Sequence, residues 1–182
     1  GGLSYYLKNG YVADDRTNES VARTLEFALS DYCIAQMAKA LGKTTDYEDL
    51  MRRAKNYRYL YNPKTKLFQA RNADGCWAGE HSGFTEGANW TYQFCVMQDV
   101  QGLIDLMGGN ESFAAALDNV FDNGHYRHDN EPGHHYVYLY NYCGRFDKAQ
   151  ERIPEILDTH YRNGADGLSG NDDCGQMSAW YL

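Results

Sequence analysis

Proline is scarce in this chain, with three residues among 182 (Pro63, Pro132 and Pro154), so long stretches can be helical without a forced break. Cysteine is sparse and unpaired in pattern. Five residues (Cys33, Cys76, Cys95, Cys143, Cys174) form no CxxC pair, which excludes a disulfide framework and leaves small buried residues or free thiols. No apolar run approaches the ~20 residues that a membrane-spanning helix needs. Positive charge is in short supply as well: 17 Lys+Arg against 25 Asp+Glu give a formal charge of −8. Such a surface is a poor match for a phosphate backbone and argues against a nucleic-acid partner. No signal peptide is visible at Gly1. What the chain does have is aromatic side chains, 14% of the total, with sixteen Tyr against seven Phe and three Trp. Tyrosine offers a flat apolar face and a hydroxyl, which suits a core bordering a polar cleft and suits a sugar ring.

The apolar periodicity is helical almost throughout. Asn18 stands where an N-cap belongs, before a helix from about Glu19 to Leu41 that reads as buried on most sides, with only Arg23, Glu26 and Ser30 sharing a polar stripe. Tyr47, Leu50, Met51, Ala54, Tyr57 and Tyr61 then recur on one face of a surface helix. Residues 62–85 read as a loop long enough to be functional. A second buried helix is expected from Glu86 to Met107, closed by Gly108–Gly109, and an amphipathic one carries Phe113, Ala116, Leu117, Val120 and Phe121. Pro132, behind Asn130 as a cap, opens a Tyr-rich helix to Tyr142. Ala149, Ile153, Ile156, Leu157 and Tyr161 mark another one-sided helix, which Pro154 should kink or split. Asp172–Asp173 open the last.

Buried helices thus open near residues 86, 131 and 173, about 45 and then about 42 residues apart, the length of a helix-hairpin repeat. The hairpins share this period but little sequence, which favours a closed toroid over an open solenoid. The predicted fold class is therefore all-α, with helical hairpins forming part of an (α/α)6 toroid.

Three polar clusters fall at those openings: residues 83–90 with Glu86 and Trp90, 128–135 with Asn130, Glu131, His134 and His135, and 170–176 with Asn171, Asp172 and Asp173. In a toroid the same ends of the inner helices meet at one mouth. Any one carboxylate there could simply cap its helix. Trp, Gly and paired His beside the acids are not required for capping, so together the clusters point to a site. Zinc is a weak alternative, because neighbouring helical residues His134 and His135 point about 100° apart and no Cys or HExxH frame accompanies them. Asn130, Glu131 and Asp173 offer oxygen, which suits a hard cation such as Ca²⁺ better. Paired carboxylates across an aromatic cleft match glycoside hydrolysis, where one protonates the leaving oxygen and the other activates water. A helix N-terminus favours the charged form, which helps the base and hurts the acid.

At these residues the chain resembles the bacterial α-mannosidases of glycoside hydrolase family 92. The likeness runs from about Glu19 to Leu182 through SVARTLEFALSDYCIAQMAKALGK, VQGLIDLMGG, HDNEPGHHYVYLYNYCG and ILDTHYRNGADGLSGNDDCGQMSAWY. It implies an N-terminal β-sandwich followed by an (α/α)6 barrel. Residues 1–182 would then be roughly the C-terminal half of that catalytic domain, with the sandwich absent. It also implies a Ca²⁺-dependent, inverting exo-α-mannosidase acting on an α-mannoside. Matched motif to motif, Glu86 resembles the general acid and Asp173 the base, with Asp172 and Asn171 beside it. Asn130 and Glu131 fall in the segment resembling the family's calcium and substrate site. Trp77, Trp90, His134, His135 and Asn171 are the candidates for sugar contact. The acid motif usually reads Glu-Gly-Asn-Ala-Trp and here reads Glu86-Gly87-Ala88-Asn89-Trp90. Some members carry an acid where Asn171 stands.

The rival functions are a polysaccharide lyase on the same kind of toroid and a non-catalytic helical scaffold. A lyase must neutralise a substrate carboxylate, and the three clusters contain no Arg or Lys. A sugar-degrading parent implies a secreted or periplasmic enzyme, although free thiols tolerate the cytoplasm. An isolated half-barrel should lack activity and self-associate through its exposed face.

Overall fold

The structure is a computed structural model that describes residues 1–182, and it divides into two compact units, Gly1–Asp99 and Val100–Leu182. Both are predominantly helical, and the one sheet has two strands. No helix is long and apolar enough to cross a membrane.

In the first unit, α1 (Leu3–Asn9) lies outside the helices expected from the periodicity. Its Tyr6 is buried, with the hydroxyl 2.8 Å from Asp31 Oδ2. Asp31 sits on α2 (Ser20–Ala40), a helix of 21 residues, and receives both Nε and Nη2 of Arg53 at 2.9 and 2.8 Å. Arg53 ends α3 (Thr44–Arg53), so this two-pronged pair ties the helices together at a mostly buried spot. Elsewhere Ala35 and Ala38 let α3 approach closely through Leu50, with Tyr47 and Met51 beside them. The burial of α2 is one-sided. Val21, Leu25, Ala28, Ala35 and Ala38 are inside, while Ile34 and Met37 stand more than half exposed, contrary to the expectation of a helix covered on most sides.

Asn18 does not cap α2 either. Glu19 occupies the cap position with a left-handed φ of 58° and no side-chain cap bond. The amides of Val21 and Ala22 instead bond to the carbonyl of Gly83, at 2.9 and 3.1 Å. Asp14 completes the arrangement: its carboxylate accepts from Ser20 Oγ at 2.7 Å and Ser82 Oγ at 2.5 Å. Orphan donors of the first turn are thereby satisfied by a distant loop. That loop, expected to be irregular, contains a strand pair. Strand β1 (Tyr61–Asn62) pairs antiparallel with β2 (Leu67–Phe68), in register Tyr61 with Phe68 and Asn62 with Leu67. Farther along, Arg71 bridges to Trp77.

The expected helix from Glu86 to Met107 is broken into α4 (Asn89–Tyr92), a 3₁₀ turn at Met97–Asp99 and, in the second unit, α5 (Val100–Leu106). Gly87 at φ 131° cannot continue a helix backwards to Glu86. After Gly108 and Gly109, α6 (Asn110–Asp122) buries Phe113, Leu117 and Val120 of its expected face and also Ala114, while Ala116 and Phe121 are half-buried. The Tyr-rich segment is also shorter than expected: a 3₁₀ turn at Glu131–Gly133, then α7 (Tyr136–Leu139) and a second 3₁₀ turn at Tyr140–Cys143. Asn130 does cap the first turn, its side chain accepting from the Glu131 amide at 3.2 Å. Helix α8 (Phe146–His160) runs through Pro154 without a break. Pro154 and Gln150 are both exposed, so the carbonyl that loses its donor faces water. Finally α9 (Gln176–Tyr181) begins three residues after Asp173, not at it.

Candidate active site

Within the first unit, Glu86 is exposed in the loop that precedes α4. It lies three residues before a helix of only four residues, so the macrodipole that would work against a protonated acid has little strength here. The hydroxyl of Tyr92 bonds with the Glu86 backbone and the Thr85 side chain, and burial raises its pKa. A Cβ on Gly87 would overlap the Thr91 side chain, so glycine is what allows this turn to close. Trp90 borders a hollow of about 310 Å³ together with Glu80, His81, Asn89, Phe68 and Gln69. Neither Glu80 nor His81 stands out in the sequence, because no spacing rule marks them. The guanidinium of Arg71 lies 3.9 Å from the ring centroid of Trp77 and covers one indole face.

In the second unit the 128–135 and 170–176 clusters come together, two of the three that the sequence reading set at one mouth. Asn171 N lies 3.4 Å from Asp129 O, and a Cβ on Gly170 would overlap that same carbonyl oxygen. On the other side, Gln176 Nε2 approaches His134 Nδ1 at 2.9 Å, and Trp180 Nε1 donates to His134 O at 2.9 Å. Between these two attachments hang Asp172 and Asp173. Asp172 Oδ1 accepts from Ser178 N and Oγ at 3.0 and 2.9 Å, so this carboxylate caps α9. Asp173, Cys174 and Gly175 have φ of 47°, 58° and 93° in succession. For the two non-glycine residues this costs about 1–2 kcal/mol each and persists only where the surroundings impose it. Asp173 is exposed and its carboxylate has no protein partner. Glu131 is half-buried, also with an unpartnered carboxylate. Asn171 is exposed.

Behind the loops lies a buried network that the residue pattern did not reveal. His128 has no exposed surface. Its Nδ1 is 2.8 Å from Tyr126 Oη and its Nε2 is 2.7 Å from Tyr161 Oη. Tyr161 donates to the carbonyl of Met177 at 3.0 Å. A carbonyl only accepts, so Tyr161 must take its own bond from His128 Nε2–H, leaving Nδ1 to accept from Tyr126. The same logic fixes His134: Nε2 faces His128 O at 3.0 Å and donates, while Nδ1 accepts from Gln176. In both rings Nε2 donates and Nδ1 accepts. Desolvation, helped by His134 and His160, pushes the His128 pKa down to about 4. Burial pushes the Tyr161 hydroxyl up to about 12. Trp180 stacks on Tyr161 with rings 5° from parallel and meets His128 edge-on. The density of Tyr and His was the one signal of this network available in the sequence.

These bonds bear on which groups could meet a metal or a ligand. His128 and His134 spend every ring nitrogen on protein partners, so neither is available to zinc. His134 is buried and fixes loops, whereas His135 is half-buried with its ring edge-on to Tyr136. Asn130, Glu131 and Asp173 offer only oxygen, the donor chemistry of a hard cation. No group of three or more His, Cys, Asp or Glu side chains stands close enough to hold a metal ion by itself.

Helical hairpins, two acid-bearing loops packed on each other and an aromatic backing define a glycoside-hydrolase type of domain, and relatives support that class. The family model for the glycosyl hydrolase family 92 catalytic domain matches residues 1–182. A family 92 α-mannosidase of Bacteroides thetaiotaomicron, solved in complex with mannoimidazole, is 42% identical with a TM-score of 0.91, over 98% of this chain and 27% of that one. An inverting mannosidase of the same family and organism is 35% identical with a TM-score of 0.90, over 99% and 28%. A protein of Arthroderma benhamiae described as an uncharacterized secreted glycosidase is 29% identical over 99% of this chain and 28% of its own length. The chain belongs to glycosyl hydrolase family 92, with the all-α toroid class of fold those enzymes carry. It spans little more than a quarter of the length of these relatives.

Proposed function

We propose that the catalytic domain containing this segment removes terminal α-linked mannose from mannosides by an inverting, calcium-dependent hydrolysis. The observation that carries the reading is the packing of the 128–135 loop on the 170–176 loop, which leaves the Glu131 and Asp173 carboxylates without protein partners. Glu86 gives its proton to the leaving glycosidic oxygen as the bond to the anomeric carbon breaks. Asp173 takes a proton from the water whose oxygen bonds to that carbon from the opposite face. Such a pair works through a water held between the base and the anomeric carbon. Trp77 and Trp90 supply faces for the sugar ring, with Asn171 and His135 as polar contacts. Asn130, Glu131 and one oxygen of Asp173 are the donors offered to Ca²⁺, which when bound supplies fixed positive charge for sugar hydroxyl oxygens. The enzyme acts outside the cytoplasm, a reading supported by the fungal relative described as secreted.

The test is mannose release by the full catalytic domain, with and without EDTA, following the first-formed anomer by NMR. Release of β-mannose that stops with EDTA and returns with Ca²⁺ is expected. Initial α-mannose would overturn inversion, turnover indifferent to EDTA would overturn the calcium requirement, and unsaturated uronate products would replace the reading with a lyase.

A further inference from the structure

We propose that His128 and Tyr161 are positioning residues that set the loop bearing Asp173 for its role as base. This rests on the hydrolytic reading above. A continuous line of hydrogen bonds runs from Tyr126 through His128 and Tyr161 to the carbonyl of Met177, at 2.8, 2.7 and 3.0 Å. Met177 lies in the first turn of α9, four residues beyond Asp173. The loop is therefore held at its far end by Tyr161, and by Gln176 on His134, and at its near end by Asn171 on the Asp129 carbonyl.

Between the two anchors the backbone occupies left-handed conformations at Asp173 and Cys174 that neither residue prefers. Asp173 makes no bond of its own that would hold its carboxylate, so the anchors, with the bonds from Ser178 and Met177 to neighbouring Asp172, determine where it points. Because Asp129 O receives the near anchor while the carbonyl of neighbouring His128 receives His134, the Asn130–Glu131 turn and the Asp173 turn share one frame. Tyr161 is the joint of that frame. Its hydroxyl uses both an acceptor and a donor role, and its ring is clamped by stacking on Trp180. Neither His128 nor Tyr161 needs to touch the sugar for this.

A small displacement of a reacting group can cost on the order of 10²-fold in turnover. Tyr161→Phe keeps the ring and its stacking but cuts the line at its joint. In the full catalytic domain, on an aryl α-mannoside, kcat should fall by about 10- to 100-fold while KM moves by less than about threefold. His128→Gln can still donate to Tyr161 and should keep most of the turnover, whereas His128→Leu cannot and should lose it like Tyr161→Phe. Thermal unfolding of each variant is measured alongside. Unchanged kcat in Tyr161→Phe would overturn the proposal, as would a loss that follows the melting temperature instead of the hydrogen bond. If His128→Leu does not fold, the comparison of Tyr161→Phe with wild type and with His128→Gln still decides. A wild-type domain that releases no mannose would instead sink the hydrolytic reading itself.

Discussion

At the scale of single residues, burial has removed His128 from ordinary histidine behaviour. It faces Tyr126, Tyr161, His134, His160, Trp180 and Asp129, and only Asp129 favours its charge. Unfolded, the ring titrates near 6.5, while in the fold it does so near 4. Between those values the unfolded chain binds the proton more readily, so the stability contribution is complete above about pH 6.5 and is lost progressively as pH falls toward 4. Urea midpoints of the catalytic domain should drop over that window, and His128→Gln should flatten the drop. A midpoint equal at pH 7 and pH 4.5 would refute it. A second residue-scale expectation concerns Glu86. If it is the acid, Glu86→Gln in the full domain should remove most turnover on mannosides with poor leaving groups. It should spare activated aryl mannosides, which need little protonation. Equal losses on both substrates would show that Glu86 has another role.

Among the elements, those with a sharp contrast between faces were legible in the sequence. Helix α6 buries Phe113, Leu117 and Val120 of the five positions its spacing marks, and α3 sets Leu50 against α2 as its one-sided pattern required. The segments around the site were less legible, because their aromatic spacing also fits a helix. Tertiary contacts there favoured tight turns, as at Gly133, where a Cβ would overlap the Arg127 carbonyl. The polar clusters at residues 128–135 and 170–176 were readable as partners, yet the network behind them joins positions 126, 128, 161 and 180, which no local period connects. Gly170 shows how close the resulting packing is. Gly170→Ala would push a methyl group into Asp129, and overpacking of this kind costs about 1–3 kcal/mol, so a clear fall in melting temperature is expected. The opposite holds on α8: Pro154→Ala restores a helical donor and should raise the melting temperature, by at most about 3 kcal/mol of stability. A lower melting temperature would mean that the proline fits a bend the helix needs.

For the molecule as a whole, the 182-residue chain covers barely more than a quarter of its enzyme relatives. Expressed alone it should show no mannosidase turnover, and measurable mannose release by the purified chain would contradict this. Ile34, Met37 and Leu41 are each more than half exposed and border a shallow hollow with Ala38 and Leu50. The isolated chain should accordingly self-associate. Light scattering that finds only monomer at high concentration would count against it.

The carbonyl of Gly83 closes the start of α2 and lies three residues before Glu86. The amide protons of Val21 and Ala22 can therefore be shielded from solvent only while that loop is docked. Their hydrogen–deuterium exchange rates are a clock for the opening of the acid-bearing segment, readable far along the chain from the carboxylate itself. A ligand that orders the Glu86 loop should slow both amides together.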